Sequence, residues 1–331
     1  MLWLLGFFIL LLKIAIVMGA LFTLAAYMVL IERKLLARLQ IRYGPNRVGP
    51  YGLLQPLADA IKMLLKEDFE PASADRMIFR LAPAIVAAVP LVIFAVIPFG
   101  AGLTIHGQPI PLVISDLNIA LLLVLAVTSL SVYGVALGGW ASGSKYGLLG
   151  GIRGAAQLIS YELPMGLSLV PIVMLAGSFS LVDIVNAQAR YPLILVQPVS
   201  FVLFFICATA ETNRLPFDLP EAENELIAGF HTEYSGMRFG LFFVGEYVSM
   251  IVMGSLVAVF FLGGWRGPLL PPVVWFFIKT MLTPIFLIWT RGTLPRVRYD
   301  QLMNLGWKVL LPIALLNIVV TGGVILLTGG L

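Results

Sequence analysis

Residues 196–263 place a polar, acidic stretch between two long apolar segments. They read VQPVSFVLFFICATAE at 196–211, TNRLPFDLPEAENELIAGFHTEYSGMR at 212–238 and FGLFFVGEYVSMIVMGSLVAVFFLG at 239–263. Apolar helices of about 20 residues cross a bilayer, so the middle part lies at or inside a membrane boundary. The arrangement predicts two membrane-spanning helices joined by a chemically active connection.

This stretch also concentrates the acidic residues of the chain. Between Glu211 and Glu233 lie six of the 17 acidic residues, against one arginine, Arg214. Carboxylates in a low dielectric repel one another and lose hydration, so those of the connection should be protonated more easily than in water. A series of such groups can hold and pass protons. The alternative is a solvated acidic loop, but the apolar flanks favour the proton path.

Composition places the whole chain in the membrane. It is 60% hydrophobic and 11% charged, whereas soluble domains carry roughly 25% charged residues. The fold class predicted is all-α, a polytopic integral membrane protein. A single cysteine, Cys207, excludes a disulfide framework. With two histidines far apart in sequence, we expect no metal or redox cofactor bound by this chain.

Hydropathy predicts eight spans within a single membrane domain that covers residues 1–331. The first span has no small-residue cleavage site after a short apolar region, so it is interpreted as an anchor. Prolines and glycines inside the spans favour kinked helices around a cavity. The predicted spans are about 3–31, 82–102, 118–140, 156–177, 196–211, 239–263, 272–290 and 307–328.

The basic residues predict the orientation of these spans. Seventeen of the 21 lysines and arginines fall in four of the connecting segments. By the positive-inside rule these segments face the cytoplasm, and both termini face outward. The four segments are 32–81, 141–155, 212–238 and 291–308.

The first cytoplasmic segment combines tight turns with an amphipathic pattern. Glycines and prolines cluster in GPNRVGPYG at residues 44–52. Apolar residues then recur at helical spacing over 53–65, with Asp59 and Lys62 interleaved, which is typical of a helix lying along the membrane surface. Either the basic residues here serve topology alone, or the segment is a gate for an amphiphilic ligand entering from the bilayer.

Two carboxylates, Glu162 and Glu246, lie within predicted spans. A charge at such depth costs several kcal/mol unless it is paired, protonated or solvated. One interpretation is a buried salt bridge, for example with Arg153 or Lys279. The other, which we favour, is a site on an ion path.

The remaining polar groups leave alternatives open. Glu221, Glu223 and Glu225 would line one face of an extended backbone, whereas a helix would make the first and last of them adjacent like charges. The arginines of segment 291–308 serve topology, anionic lipid or a soluble partner. His231 and Cys207 are interpreted as packing or interfacial residues.

Three motifs together resemble one family, the membrane subunit of proton-translocating NADH:quinone oxidoreductase (respiratory complex I) that is called H in bacteria and 1 in mitochondria. They are GPNRVGPYGLLQPLADAIK at 44–62, AETNRLPFDLPEAENELIAGFHTEYSGM at 210–237 and RVRYDQL at 296–302. They are long, specific and in the order of the family, and the resemblance runs over essentially the whole chain.

The resemblance implies roles for particular residues. One set would lie along or near a chamber that admits ubiquinone or menaquinone from the bilayer: Glu32, Arg33, Arg42, Asp59, Arg214, Glu233 and Tyr234. A second set would form the proton path from that chamber toward antiporter-like subunits: Glu162, Glu211, Asp218, Glu221, Glu223, Glu225 and Glu246.

The resemblance also implies the setting of the chain. It would be a non-catalytic subunit of an enzyme, in the bacterial inner membrane, with other membrane-arm subunits and soluble quinone-module subunits as partners. Quinone would be the substrate and membrane lipid a further contact, with no role for nucleic acid. Iron–sulfur clusters and FMN would be carried by partner subunits. The alternatives are the equivalent subunit of a hydrogenase or a ferredoxin- or F420-linked complex, and a stand-alone proton-coupled transporter.

Overall fold

The computed structural model describes residues 2–105 and 108–328, and this part of the chain is almost entirely helical. The helices are α1 (Leu2–Leu39), α2 (Gln55–Leu65), α3 (Arg76–Phe94), α4 (Ala120–Thr128), α5 (Leu130–Ala141), α6 (Lys145–Ala176), α7 (Leu181–Ala187), α8 (Leu193–Val196), α9 (Pro198–Glu211), α10 (Glu223–Leu226), α11 (Gly236–Phe261), α12 (Pro272–Thr293), α13 (Tyr299–Asn304) and α14 (Leu311–Thr328).

Short irregular elements complete the chain. Turns of 3₁₀ helix lie at Pro50–Gly52 and Gly229–His231, and a π-helical turn at Leu305–Leu310 joins α13 to α14. Strands β1 (Leu103–Ile105) and β2 (Gln108–Ile110) pair antiparallel, with Leu103 opposite Ile110. This small hairpin is a departure from an all-helical chain, although the predicted all-α class is confirmed.

Seven helical stretches in the described part are long and apolar enough to cross a membrane. The apolar helix α9, with 14 residues, is shorter than the others. The chain is therefore a multi-pass membrane protein. The seven stretches are Gly6–Leu39, Arg76–Phe94, Ala120–Ala141, Lys145–Ala176, Gly236–Phe261, Pro272–Thr293 and Tyr299–Thr328.

Several helices begin or end away from the predicted limits. Helix α1 continues to Leu39, so Glu32 stands on the helix rather than after it. Helix α3 begins at Arg76 rather than near residue 82, because the side chain of Asp75 caps its first turn, accepting from two backbone N–H groups at 3.2 Å. Helix α2 lies where the amphipathic pattern predicted it.

Helix α11 is the centre of the bundle. It packs against α1, α3 and α12, and its second half is wholly buried. Helices α5 and α6 approach closely through glycines, since a Cβ atom added to Gly139 would lie 2.3 Å from the carbonyl oxygen of Gly147. Small residues allow such close contact between helices in a membrane. The scaffold around the polar groups is therefore tightly packed.

Candidate functional site

A cluster of ionisable side chains lies buried where α1, α9, α11 and α12 meet. Arg214 Nη1 lies 2.8 and 3.0 Å from the two carboxylate oxygens of Glu32, and its Nε lies 2.5 Å from Glu246 Oε1. The hydroxyl of Tyr247 donates to Glu32 Oε2 at 2.7 Å. Arg291 also forms an ion pair with Glu32. We call these five residues the ion cluster.

The ion cluster balances two carboxylates against two guanidinium groups. The side chains of Arg214 and Glu32 are 3% and 5% exposed, so each charge depends on its partners rather than on water. Burial alone lowers the pKa of Arg214, but the carboxylates of Glu246 and Glu32 raise it well above its usual range. Arg214 therefore stays charged and holds α1 and α11 together.

The connection that carries Arg214 is fixed by α6. The amide nitrogen of Gln157 donates to the carbonyl oxygens of Ala210 and Phe217, both at 2.8 Å. Further along, Gly229 has a φ of 59° and lies against Pro220, whose carbonyl oxygen would be 1.8 Å from an added Cβ atom. This position therefore requires glycine. The contacts of Gln157 hold the connection against α6, and the contact between Gly229 and Pro220 folds the connection against itself.

The acids of this connection point in different directions. Asp218 pairs with Arg296 at 2.8 Å. Glu225 forms a surface ion pair with Arg153 at 2.5 Å. Glu221 turns inward, and the side chain of Glu223 lies outside the described part of the structure. Neither predicted arrangement, an extended acidic face or adjacent helical charges, is correct. The reason is the positive φ of 29° at Ala222, which turns the chain just before α10.

Burial changes the protonation of the two inward acids. It raises the pKa of Asp218 despite the opposing effect of Arg296. It raises the pKa of Glu221 still further, to well above the usual range, with the charges of Glu246 and Asp218 adding to the effect. The surroundings of Glu221 therefore favour its protonated form.

Three of the predicted proton-path carboxylates line one internal cavity. Glu211, Glu221 and Glu246 border a space of about 60 Å³ available to the centres of water molecules, together with His231 and Phe243. A water molecule needs about 10–15 Å³ by this measure. This acid cavity therefore has room for a few waters linking the carboxylates.

Glu211 is the last residue of α9, and Glu162 lies within α6. The hydroxyl of Ser131 donates to Glu211 Oε1 at 3.0 Å. In the part of the chain that is described, the second oxygen of Glu211 and Oε1 of Glu162 are buried without a hydrogen-bond partner. A buried carboxyl oxygen of this kind favours the protonated form or a bound water.

His231 borders the acid cavity as a neutral group. Its Nδ1 lies 3.9 Å from Glu221 Oε1, and its ring packs edge-on against Phe230 and Phe239. Burial lowers its pKa to about 4. The sequence indicated a packing or interfacial residue, and the imidazole does pack against aromatic rings while it also borders the acid cavity beside Glu221.

A second, apolar space lies between α1, α2 and α11. It measures about 190 Å³ and is lined mainly by apolar side chains, including Phe22, Met63 and Val244. At its polar end Arg33 pairs with Asp59 at 2.7 Å. We call this space the apolar groove. Its amphipathic lining suits a molecule with a polar head and a hydrocarbon tail.

The apolar groove continues into an open depression of about 450 Å³ beside the end of α2. The two spaces share Arg33, Asp59 and Met63, and the depression is bordered further on by Tyr234 and Phe239. A ligand in the apolar groove would therefore have access to the face that bears the polar connection.

The other predicted chamber residues are more dispersed. Arg42 is exposed, and its Nε donates to Gln40 Oε1 at 2.7 Å. Glu233 is half-buried. Tyr234 stacks on Phe79 with ring centroids 4.0 Å apart, so most of its ring serves packing. Glu32 and Arg214 lie in the ion cluster, separate from the residues that line the apolar groove.

Two interpretations of the sequence need correction. The partner of Glu246 is Arg214 rather than Arg153 or Lys279. Lys279 instead donates to backbone carbonyl oxygens beyond the end of α11, including that of Leu262 at 2.5 Å. An ammonium group can stabilise a helix C-terminus in this way.

Sequence reasoning missed several members of the site. Arg291 and Arg296 point inward to Glu32 and Asp218, instead of serving topology, lipid or a partner alone. Ser131 and Tyr247 were not identified. Polar residues inside apolar spans were the available signal for both.

These features define a class: a multi-pass membrane protein that places an apolar groove beside a series of buried carboxylates. A family model described as NADH dehydrogenase matches residues 12–322. The chain belongs to this family, and the resemblance inferred from the three motifs is confirmed.

Individual relatives are similar over nearly their full length, and each is named as an H subunit of NADH-quinone oxidoreductase. The chain is 67% identical to the H subunit numbered 2 of Syntrophobacter fumaroxidans over 327 residues, 99% of each chain. It is 66% identical to the H subunit numbered 2 of Geobacter sulfurreducens over 314 residues, 95% of each. It is 61% identical to the H subunit of Syntrophotalea carbinolica over 318 residues, 96% of each.

Proposed function

We propose that this chain, as a subunit of an NADH:quinone oxidoreductase, helps to bind quinone and links quinone reduction to proton translocation. Its relatives are named as H subunits of NADH-quinone oxidoreductase. The observation that carries the proposal is the position of Tyr247, which lines the apolar groove and donates to Glu32 in the ion cluster.

The chemistry of the apolar groove fits a quinone. Its walls are mainly apolar, as a hydrocarbon tail requires, and it is bounded by α2, which is amphipathic. The Arg33–Asp59 pair supplies polar groups at the end of the apolar groove that adjoins the open depression. A quinone head would approach soluble partner subunits there, whose iron–sulfur clusters would supply electrons. FMN would lie in a further partner.

Coupling would run through residues that belong to two sites at once. Reduction of a quinone to a quinol takes up two electrons and two protons, so charge near the apolar groove changes during the reaction. Tyr247 would transmit this change to Glu32, and Arg214 would transmit it to Glu246. Because Glu246 also borders the acid cavity, the protonation of Glu221 and Glu211 would respond.

The setting of the subunit follows from the same proposal. The positive-inside rule supports a cytoplasmic position for the ion cluster and the apolar groove, with both termini on the outer side of a bacterial inner membrane. Membrane-arm subunits would contact the exposed apolar helices, and quinone-module subunits would contact the cytoplasmic connections.

The deciding experiment is Glu211→Gln in the otherwise intact assembled complex. Glutamine keeps the size of the side chain and removes its titratable proton. We expect quinone reduction and proton pumping both to collapse while assembly is preserved. The matched control is Glu67→Gln, at an exposed glutamate that belongs to neither predicted set of site residues, which should retain both activities. Activities near wild-type levels in Glu211→Gln would remove Glu211 from the proton path.

A second variant tests the apolar groove. Ala60 lines it, whereas Leu57, on the same helix, is 60% exposed and is not one of its lining residues. Ala60→Trp should raise the KM for quinone severalfold by filling the space, and Leu57→Trp should not. Equal effects of the two substitutions would show that the apolar groove is not where quinone binds.

A further inference from the structure

The acid cavity and the apolar groove are separated by one face of α11. Phe239, Phe243 and Tyr247 follow one another at every fourth position, so their rings lie along the same side of the helix. The ring centroids of Phe239 and Phe243 are 5.4 Å apart, as are those of Phe243 and Tyr247. The three rings form a continuous row.

Each ring borders a different combination of spaces. Phe239 borders the acid cavity and the open depression, and Tyr247 borders the apolar groove. Phe243 borders both the acid cavity and the apolar groove. The side chain of Phe243 is therefore the point where the two spaces come closest.

The two outer rings of the row are fixed by their neighbours. The hydroxyl of Tyr247 is held by Glu32, and Phe239 packs against the ring of His231 at 5.4 Å between centroids. Phe243 carries no polar atom and is half-buried, with open space on two sides. A ring beside open space loses fewer packing contacts when it changes rotamer, so Phe243 is the mobile member of the row.

We propose that Phe243 is the partition between the acid cavity and the apolar groove. It excludes hydrocarbon from the carboxylates and separates their exchangeable protons from whatever occupies the apolar groove. For coupling this inference rests on the proposed function, since the partition then forces protons to move through the ion cluster instead of by direct contact. The physical wall itself does not depend on quinone being the ligand.

The wall is tested by chemical access to the acid cavity. Ser249 borders that cavity, and Ser249→Cys introduces a thiol there with little change in size. The assembled complex in membranes is treated with N-ethylmaleimide, which enters from the bilayer, and labelling of this subunit is followed by mass spectrometry. Native Cys207 is buried and gives an internal reference.

Adding Phe243→Ala should increase the labelling rate of the cysteine at position 249 about tenfold, because a permanent opening replaces a transient one. The control is Phe277→Ala, an exposed phenylalanine on α12, which should leave the rate unchanged. Phe243→Leu, which keeps most of the volume, should give a smaller increase and guards against misfolding. An unchanged rate in Phe243→Ala overturns the partition.

The coupling role has its own readout. In Phe243→Ala the number of protons pumped per quinone reduced should fall by about half or more, whatever the rate of quinone reduction, since protons then bypass the ion cluster. An unchanged ratio overturns the coupling role. If Glu211→Gln left both activities intact, the proposed proton path would fail, but the labelling result would still report on the wall.

Discussion

The two halves of α11 differ in how they are packed. From Met250 to Phe261 every residue is buried and none is charged. From Gly236 to Ser249 the helix borders the acid cavity, the apolar groove and the open depression, and it carries Glu246. One helix thus joins a densely packed C-terminal half, Met250–Phe261, to an N-terminal half, Gly236–Ser249, that borders open spaces and carries charge. We call them the outer half and the inner half.

The difference separates rigidity from function. A close-packed interior resists rearrangement, because each side chain is held on all sides. Ion pairs beside cavities have other arrangements within reach, so small changes of charge can move them. The outer half of α11 is therefore expected to stay fixed while the ion pairs of the inner half rearrange when nearby charges change.

The largest expected effect comes from replacing Arg214, the ion-pair partner of Glu246 in the inner half of α11. Arg214→Met would leave Glu32 with Arg291 and the hydroxyl of Tyr247, and would take from Glu246 its guanidinium partner, which should destabilise the protein by about 3–5 kcal/mol. Thermal unfolding of the purified complex, or the amount of assembled subunit, measures this loss. Arg298→Met removes a guanidinium from an exposed pair with Asp300 and should not alter the unfolding temperature. Equal unfolding temperatures for the two variants would contradict the importance of the ion cluster.

An intermediate effect is expected from adding one methyl group to each half. In the outer half, a Cβ atom at Gly254 would lie 2.3 Å from the carbonyl oxygen of Thr280, which is rigid backbone. Gly254→Ala should therefore cost about 1–3 kcal/mol by overpacking. In the inner half, a Cβ atom at Gly240 would meet the flexible side chain of Met63 at 3.1 Å. Gly240→Ala should leave stability nearly unchanged, and the reverse order would show that the outer half is not the denser one.

The smallest effect concerns the protonation of Glu221. Its pKa in the folded protein lies well above the usual 4.5, so the folded state favours the protonated acid. The stability that this contributes is present below the usual pKa and is lost as the pH rises through the raised one. Glutamine cannot ionise, so Glu221→Gln should match wild type in acid and exceed it increasingly as the pH rises. Melting temperatures across that range measure the difference, and a constant difference would mean that the pKa of Glu221 is the same in the folded and the unfolded state.

Much of the fold could be predicted from the sequence, because only helices and closed barrels satisfy their backbone hydrogen bonds inside a bilayer. Apolar length predicted most spans, and helical spacing predicted α2. The inward role of carboxylates such as Glu246 followed from their cost in lipid. These predictions depend only on local composition, because a long apolar segment in a bilayer forms a helix whatever the rest of the chain does.

Side-chain pairs between segments that are distant in sequence could not be predicted from local composition. Arg153 and Lys279 were the partners considered for a buried salt bridge of Glu246, yet its partner is Arg214, on the connection before α11. The divergence of Glu221 and Glu225 depends on a single backbone angle at Ala222. Charge counting assigned Arg291 and Arg296 to a cytoplasmic segment but could not indicate that their side chains face inward. Rotation of helices and turns of the chain decide such contacts.

The ion cluster has a consequence for how the protein is made. Glu32 is on the first helix, but Arg214 is 182 residues further along and Arg291 is 259 residues further along. A chain synthesised from its N-terminus therefore inserts α1 long before either partner exists. During that interval the carboxyl group of Glu32 must remain at the membrane surface, be protonated or be shielded by another protein. Final seating of the first helix would thus be one of the last steps of biogenesis, and substitutions at Arg291 should trap a late assembly intermediate.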